Sequence, residues 1–563
     1  MAAGLRRRLG RYRQRLRDAM PRRLPAWQDQ AAAPGDATGD DITVPTTDAL
    51  RRHLTDQTHK RLHVVVEDWR TPYKGWSGRL GPLPHLRRHE VVLPQSRGRA
   101  EVTVELDEPA HRTKIIAAIL GALQPDRPLP APTRADLALD GPVPGWLPPA
   151  EIDRTPAGPN PEDAVIRPYD LRVDAIQQLG AVDATTAKPT NRRRYDDRLP
   201  AGRLLITEDG RWQVDNAVDG TTVLAGRVGE PLDDRQRDVL ADLSVIESKD
   251  ANDPRARATT LVQLAMTGVL IHAPNPPRDL LGDELADLLA TEPKDTDPID
   301  RELASVRQRR AAMRHHATAF ALPRATKDTF PTLTTPPAVT ALLMTRRPDR
   351  LATVLADLEA QTYPEIEIVV GLHGVDLTDT LRKQLDAHAR PTRLVTVHKG
   401  VGFGEALGEA TRHASGSLLT KVDDDDLYGP EHIWDLVLAR HYSGAEVVGK
   451  GAEFVYLEPR DQTVRRRMGN EFYTDVVAGG TMLLAKGDLE AVGGWRPVTR
   501  SVDRALLDRV LADGGLVYRT HGFGFIYTRH GDGHTWDPGL DYFARDPVRT
   551  WNGLPPYEEF GAR

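Results

Sequence analysis

Residues 418–426 read Leu418-Leu419-Thr420-Lys421-Val422-Asp423-Asp424-Asp425-Asp426. A run of strand length passes without a break into four carboxylates. Four acids after a buried strand repel one another unless a cation or a helix dipole offsets them. In an extended exit alternate residues share a face, so Asp423 and Asp425 are expected to converge. Two convergent carboxylates suit a hard divalent cation, Mn²⁺ or Mg²⁺. The other reading of the same residues is a solvated acidic turn or a helix start.

Working outward, the chain from Pro336 alternates strand-length and helix-length patterns. Strands are expected over 338–344, 366–372, 393–398 and 418–422, with helices over 349–361, 377–388 and 405–413 between them. Such alternation predicts an α/β fold, a mostly parallel sheet with helices on both faces. Ligands in such sheets bind beyond the carboxyl ends of the strands. The first strand ends at Thr345, Arg346 and Arg347, and the second at Gly371 and His373, which places these five residues with Asp424 on the nucleotide side.

Three stretches carry a family resemblance: Leu358–Val370 (LEAQTYPEIEIVV), Gly402–Asp426 (GFGEALGEATRHASGSLLTKVDDDD) and Ala478–Trp495 (AGGTMLLAKGDLEAVGGW). On these, residues 338–540 resemble a family 2 glycosyltransferase of the GT-A fold. The resemblance implies an inverting transfer of a sugar from a nucleotide-sugar donor to the hydroxyl of a glycan, lipid-linked or other acceptor. It implies that Asp423 and Asp425 contact a divalent metal and the donor diphosphate, with Asp426 supporting them or touching the sugar. Asp503 then falls where the family has its general base, although Val502 replaces the usual first acid of that pair; a helix-capping aspartate is the other reading. His530 or His534 completes the metal site, Arg529 holds diphosphate, and Gly479, Gly480 and Thr481 shape the floor between donor and acceptor. Trp495 and Trp536 either stack on sugar rings or pack in the core. Many relatives carry an acid near the position of Gly371 that binds uracil. Its absence leaves the base of the donor open.

The resemblance stops short of residues 1–330. Residues 1–25 are dense in arginine with an apolar stripe, as in a helix that lies on an anionic membrane surface. Residues 1–47 are expected to be a basic segment and linker, 48–124 a small α+β region and 125–164 a proline-rich linker. An α+β and helical region is expected over 165–330, ahead of the transferase domain over 331–563. Apolar residues make up 39% of 563 and charged residues 28%, enough for packed cores. The net charge of −6 argues against a general nucleic-acid binder. With no cysteine, disulfides and thiolate chemistry are excluded. No apolar run reaches membrane-spanning length, so a cytoplasmic protein, with membrane contact through residues 1–25, is expected. A large region ahead of a family 2 domain suggests cell-envelope polysaccharide synthesis by fold-level analogy. Two competing readings stand beside the transferase. One is an inactive sugar- or nucleotide-binding or assembly protein on the same fold. The other is a nucleotidyltransferase, against which the lack of a glycine-rich, lysine-bearing loop after the first strand counts.

Overall fold

The computed structural model describes residues 41–123, 199–320 and 336–561, less a few short stretches within these ranges, of which residues 532–537 bear on the site. The basic segment 1–25 and the proline-rich segment 125–164 lie outside the described residues.

The sheet predicted for the C-terminal part is present. Its strands run in the order Thr392–Val397, Ile366–His373, Val339–Thr345, Leu418–Val422, Leu483–Ala485, Val447–Gly449, Val517–Arg519 and Phe472–Tyr473. The first four are mutually parallel, with Val339 opposite Leu418 and Ile366. Every residue of Val339–Thr345 and of Leu418–Val422 is buried, as expected where helices cover both faces. Side chains alternate between the two covered faces with the period of a strand: Val339, Ala341 and Leu343 join one apolar cluster, Leu342 and Met344 the other. The helices Leu351–Glu359, Asp379–Asp386 and Phe403–Arg412 connect these strands. A second, five-stranded sheet contributes the strand Phe525–Arg529, which pairs with Leu427–Tyr428 just after the acidic run.

The preceding regions are α+β. The strands Asp41–Val44, Thr58–Arg70, Arg97–His111 and Leu86–Val92 form a four-stranded sheet, in that order, packed by the helix Arg112–Leu123. A five-stranded sheet spans Gly202 to His272. After it comes the helix Pro298–His316, which starts on an Asp297 cap that accepts from the Ile299 N–H at 2.9 Å.

That helix does not stand apart from the C-terminal sheet. One apolar cluster holds Leu261, Leu285 and Met313 together with Leu351, Ile368, Trp434 and Phe525. A second joins Ile299, Leu303 and Val306 to Phe454, Phe523, Ile526 and Phe560. Buried charges cross the same boundary. Arg310 Nε donates to Asp435 Oδ1 at 2.9 Å, and Asp435 Oδ2 also accepts from Lys450 Nζ at 2.9 Å. Arg309 pairs with Glu471, and Arg465 reaches Glu302 at 2.6 Å. No helix among the described residues is long and apolar enough to cross a membrane.

Candidate active site

The acidic run leaves the fourth strand and turns at Asp424 and Asp425, so the extended exit expected from the sequence is not what the chain does. The four carboxylates therefore fan out. Asp423 Oδ1 accepts from Lys421 Nζ at 2.5 Å. Asp424 Oδ2 accepts from the Thr345 hydroxyl at 2.5 Å, and its other oxygen from the Arg347 guanidinium. Asp425 Oδ2 accepts from the same guanidinium at 2.7 Å. Asp426 is buried; one oxygen accepts from the Thr528 N–H at 2.9 Å and the other has no partner.

Gly479 and Gly480 lie against this fan. A methyl on Gly480 would stand 2.8 Å from Asp423 Oδ2 and 3.0 Å from Asp426 Oδ2. A methyl on Gly479 would stand 1.9 Å from Asp503 Oδ2. Only hydrogen fits at either place, so the two glycines bring backbone, donor-side acids and Asp503 into one small space. The Tyr428 hydroxyl locks the arrangement, accepting the Asp423 N–H at 2.9 Å and donating to the Gly480 carbonyl at 3.0 Å. Thr481 belongs to the scaffold: it is buried, accepts the Lys450 N–H at 2.8 Å and donates to the Ala478 carbonyl at 2.8 Å.

Asp503 sits in the first turn of the helix Val502–Ala512, behind Ser501, which takes the cap position in left-handed geometry at φ 57°. Among the described residues its buried Oδ1 has no partner. Val502, where the resemblance leads one to expect an acid, is buried in the apolar cluster with Leu506, Leu507 and Val510. An acid at that position would be buried among apolar side chains.

At the first two strand ends, Arg346 donates to His373 through Nε at 3.2 Å, and the far ring nitrogen of His373 donates to the Val401 carbonyl at 2.9 Å. Burial, with Arg346 alongside, lowers the His373 pKa. Gly371 packs against Met344: a Cβ would meet its sulfur at 2.0 Å.

His530 follows the strand Phe525–Arg529 directly and is buried. Its Nε2 lies 3.7 Å from Asp425 Oδ2 and accepts from Arg350 at 2.8 Å, while Nδ1 meets Glu458 Oε2 at 2.6 Å. Arg529 is fully buried, its guanidinium 4.9 Å over the Phe543 ring. Trp495 is a core residue that donates to the Thr411 hydroxyl at 2.9 Å, which removes it as a sugar-stacking platform. His534 and Trp536 lie outside the described residues. Lys421, Arg350, Glu458 and Tyr428 were not anticipated. For Lys421 a signal existed, an ammonium inside a strand of otherwise buried character; the other three carry none.

Electrostatics set the character of the pocket. Burial and the neighbouring Asp425 and Asp423 push the Asp426 carboxyl well above its ordinary range. Burial also raises Asp423, with Lys421 opposing it. The Tyr428 phenol is pushed up by burial and by Asp426. Burial is the main cause of both shifts, and Lys421 beside Asp423 opposes them. Among the described residues no group of three or more His, Cys, Asp or Glu side chains is arranged to hold a metal ion. Asp425 Oδ2 and His530 Nε2 stand 3.7 Å apart, and each faces a guanidinium, Arg347 and Arg350. The pair would fit a cation that arrives with phosphates and water to complete its shell once those guanidinium groups turn away.

The family model described as Glycosyl transferase family 2 matches residues 343–505. No curated protein sequence matches the chain. Among solved structures, the mannosyltransferase PcManGT from Pyrobaculum calidifontis, in complex with GDP-Man and Mn²⁺, is 17% identical over 36% of this chain and 59% of its own, with a TM-score of 0.28. TarS 1–349 from S. aureus, in complex with UDP-GlcNAc, is 14% identical over 35% of this chain and 60% of its own, with a TM-score of 0.29. The chain spans about three-fifths of the length of these proteins, and at such TM-scores the likeness adds nothing to what the sheet itself shows. The matched residues run from the first parallel strand to the helix that bears Asp503, and over them the chain is similar to the glycosyl transferase family 2 domain.

Proposed function

We propose that the chain transfers a sugar from a nucleotide-sugar donor to an acceptor hydroxyl with inversion, using the pocket between the acidic turn and Asp503. The observation that carries this reading is the meeting of Asp423, Asp426 and Asp503 at the Gly479–Gly480 floor. Donor-side acids and a base candidate crowd a floor on which the two glycines place no side chain. On this reading the donor diphosphate lies at the first strand end, where Arg347, 38% exposed in its side chain, releases Asp424 and Asp425 and turns to the phosphates. Asp425 and His530 hold a divalent cation, which when bound supplies charge neutralisation on the departing nucleoside diphosphate. Asp503, whose side chain is 34% exposed, takes the acceptor proton. General-base catalysis of this kind is worth ~10²–10⁴-fold. The acceptor is a glycan, a lipid-linked sugar or another hydroxyl compound, and residues 1–25 provide a peripheral membrane contact. The structural relatives bind GDP-Man and UDP-GlcNAc, so these two donors form the first panel.

The test is release of nucleoside diphosphate from GDP-mannose and UDP-GlcNAc with Mn²⁺ by the wild type and by Asp503→Asn. The reading expects the variant to fold and bind donor but to lose turnover. Near-full turnover by the variant removes Asp503 from the role. Donor binding by the wild type without turnover favours the inactive binding protein.

A further inference from the structure

Lys421 is the one cation on the central strand Leu418–Val422, and every residue around it on that strand is buried. It lies opposite Leu342 of the neighbouring strand, and its own N–H donates to the Met482 carbonyl at 3.0 Å. A leucine or valine would complete the strand at no electrostatic cost. An ammonium taken out of water costs several kcal/mol unless carboxylates compensate it. Two do. Lys421 Nζ lies 2.5 Å from Asp423 Oδ1 and 3.6 Å from Asp503 Oδ2, with the Phe403 ring 5.9 Å beneath. The two acids come from different elements, the acidic turn and the helix Val502–Ala512. On Asp503 the ammonium takes Oδ2, Gly479 closes against the same oxygen, and Oδ1 stays without a partner.

We propose that Lys421 is a positioning residue: a buried ammonium that ties Asp423 of the acidic turn to the base Asp503 and fixes where the Asp503 carboxylate stands. The inference rests on the transferase reading for its catalytic half and on geometry alone for the tie. Because Lys421 binds neither donor nor acceptor, its loss acts on turnover and not on donor affinity. A one-ångström error in the base is enough to cost ~10²-fold in rate.

Two measurements on the full chain test this, with Lys421→Met as the first variant and Lys421→Gln as the second should the first not fold. In steady-state release from GDP-mannose or UDP-GlcNAc with Mn²⁺, the inference expects kcat to fall ~10²-fold with donor KM little changed. In thermal unfolding, Lys421→Met and Asp503→Asn are expected to be non-additive, the double variant losing less than the two singles together. Additive shifts overturn the tie, and an unchanged kcat overturns the catalytic half. A wild type without turnover on any donor sinks the transferase reading and the catalytic half with it, while the unfolding cycle still decides the tie.

Discussion

His530 Nε2 stands 3.7 Å from Asp425 Oδ2, which brings the end of the strand Phe525–Arg529 against the acidic turn of the larger sheet. Two sheets thus meet at one carboxylate–imidazole pair. If that pair holds the cation, Asp425→Ala and His530→Ala each cost more than the ~10–100-fold in metal affinity that follows loss of an outer-sphere partner. The check is the Mn²⁺-dependent rise in unfolding temperature with GDP-mannose or UDP-GlcNAc. A rise that survives in both variants places the cation elsewhere.

Gly479 and Gly480 predict graded effects from one added methyl. Gly479→Ala puts a Cβ 1.9 Å from Asp503 Oδ2 and must displace the base. Its kcat is expected to fall ~10²-fold. Gly480→Ala meets Asp423 and Asp426 at 2.8 and 3.0 Å, so a smaller loss is expected, with donor KM raised. Steady-state kinetics on both variants checks the order, and equal activity in wild type and Gly479→Ala contradicts it.

The charges between the helix Pro298–His316 and the transferase sheet predict that the two are inseparable. Residues 336–563 alone would leave Asp435 and Glu471 buried without Arg310 and Arg309. Removing one partner of a buried pair costs about 3–5 kcal/mol. Arg310→Met in the full chain is expected to lose that much in denaturant unfolding, and the fragment is expected to be insoluble or partly unfolded. A fragment as stable as the full chain shows that the shared core is dispensable.

The same cluster makes stability depend on pH. His521 faces Asp435 at 3.4 Å, with Lys450 and Arg309 close by, and burial drives its pKa down to about 4 from 6.5. The unfolded chain binds this proton near pH 6.5 and the folded chain only near 4. Stability is therefore lost as pH falls through that window, by up to about 3 kcal/mol from this group. Glu302, raised by burial to about 6, acts in the opposite sense below that value. The measurement is the difference in pH slope between wild type and His521→Asn, which should be flatter between pH 6.5 and 4. Parallel slopes exclude His521 as the source.

The parallel sheet was legible because its inner strands are buried on both faces and so are written as apolar runs between helices, as at Ala341–Leu343 and Ile368–Val370. The acidic run announced itself for the opposite reason, carboxylates where burial begins. What escaped the sequence was orientation. The turn at Asp424 and Asp425 depends on Thr345 and Arg347, which are remote in the chain. Trp495 gave no sign of its partner Thr411, and Gly371 none of Met344. Packing between regions was not legible either: the helix Pro298–His316 pairs with Asp435 and Glu471 of the C-terminal part, which no reading of its own residues supplies.

The most direct measurement is nucleoside diphosphate release from GDP-mannose and UDP-GlcNAc by the full chain, with and without Mn²⁺, beside Asp425→Ala and Asp503→Asn. The account predicts Mn²⁺-dependent release by the wild type from at least one donor and none above background from either variant. Release that is unchanged in both variants, or none from wild type that binds a donor, contradicts it.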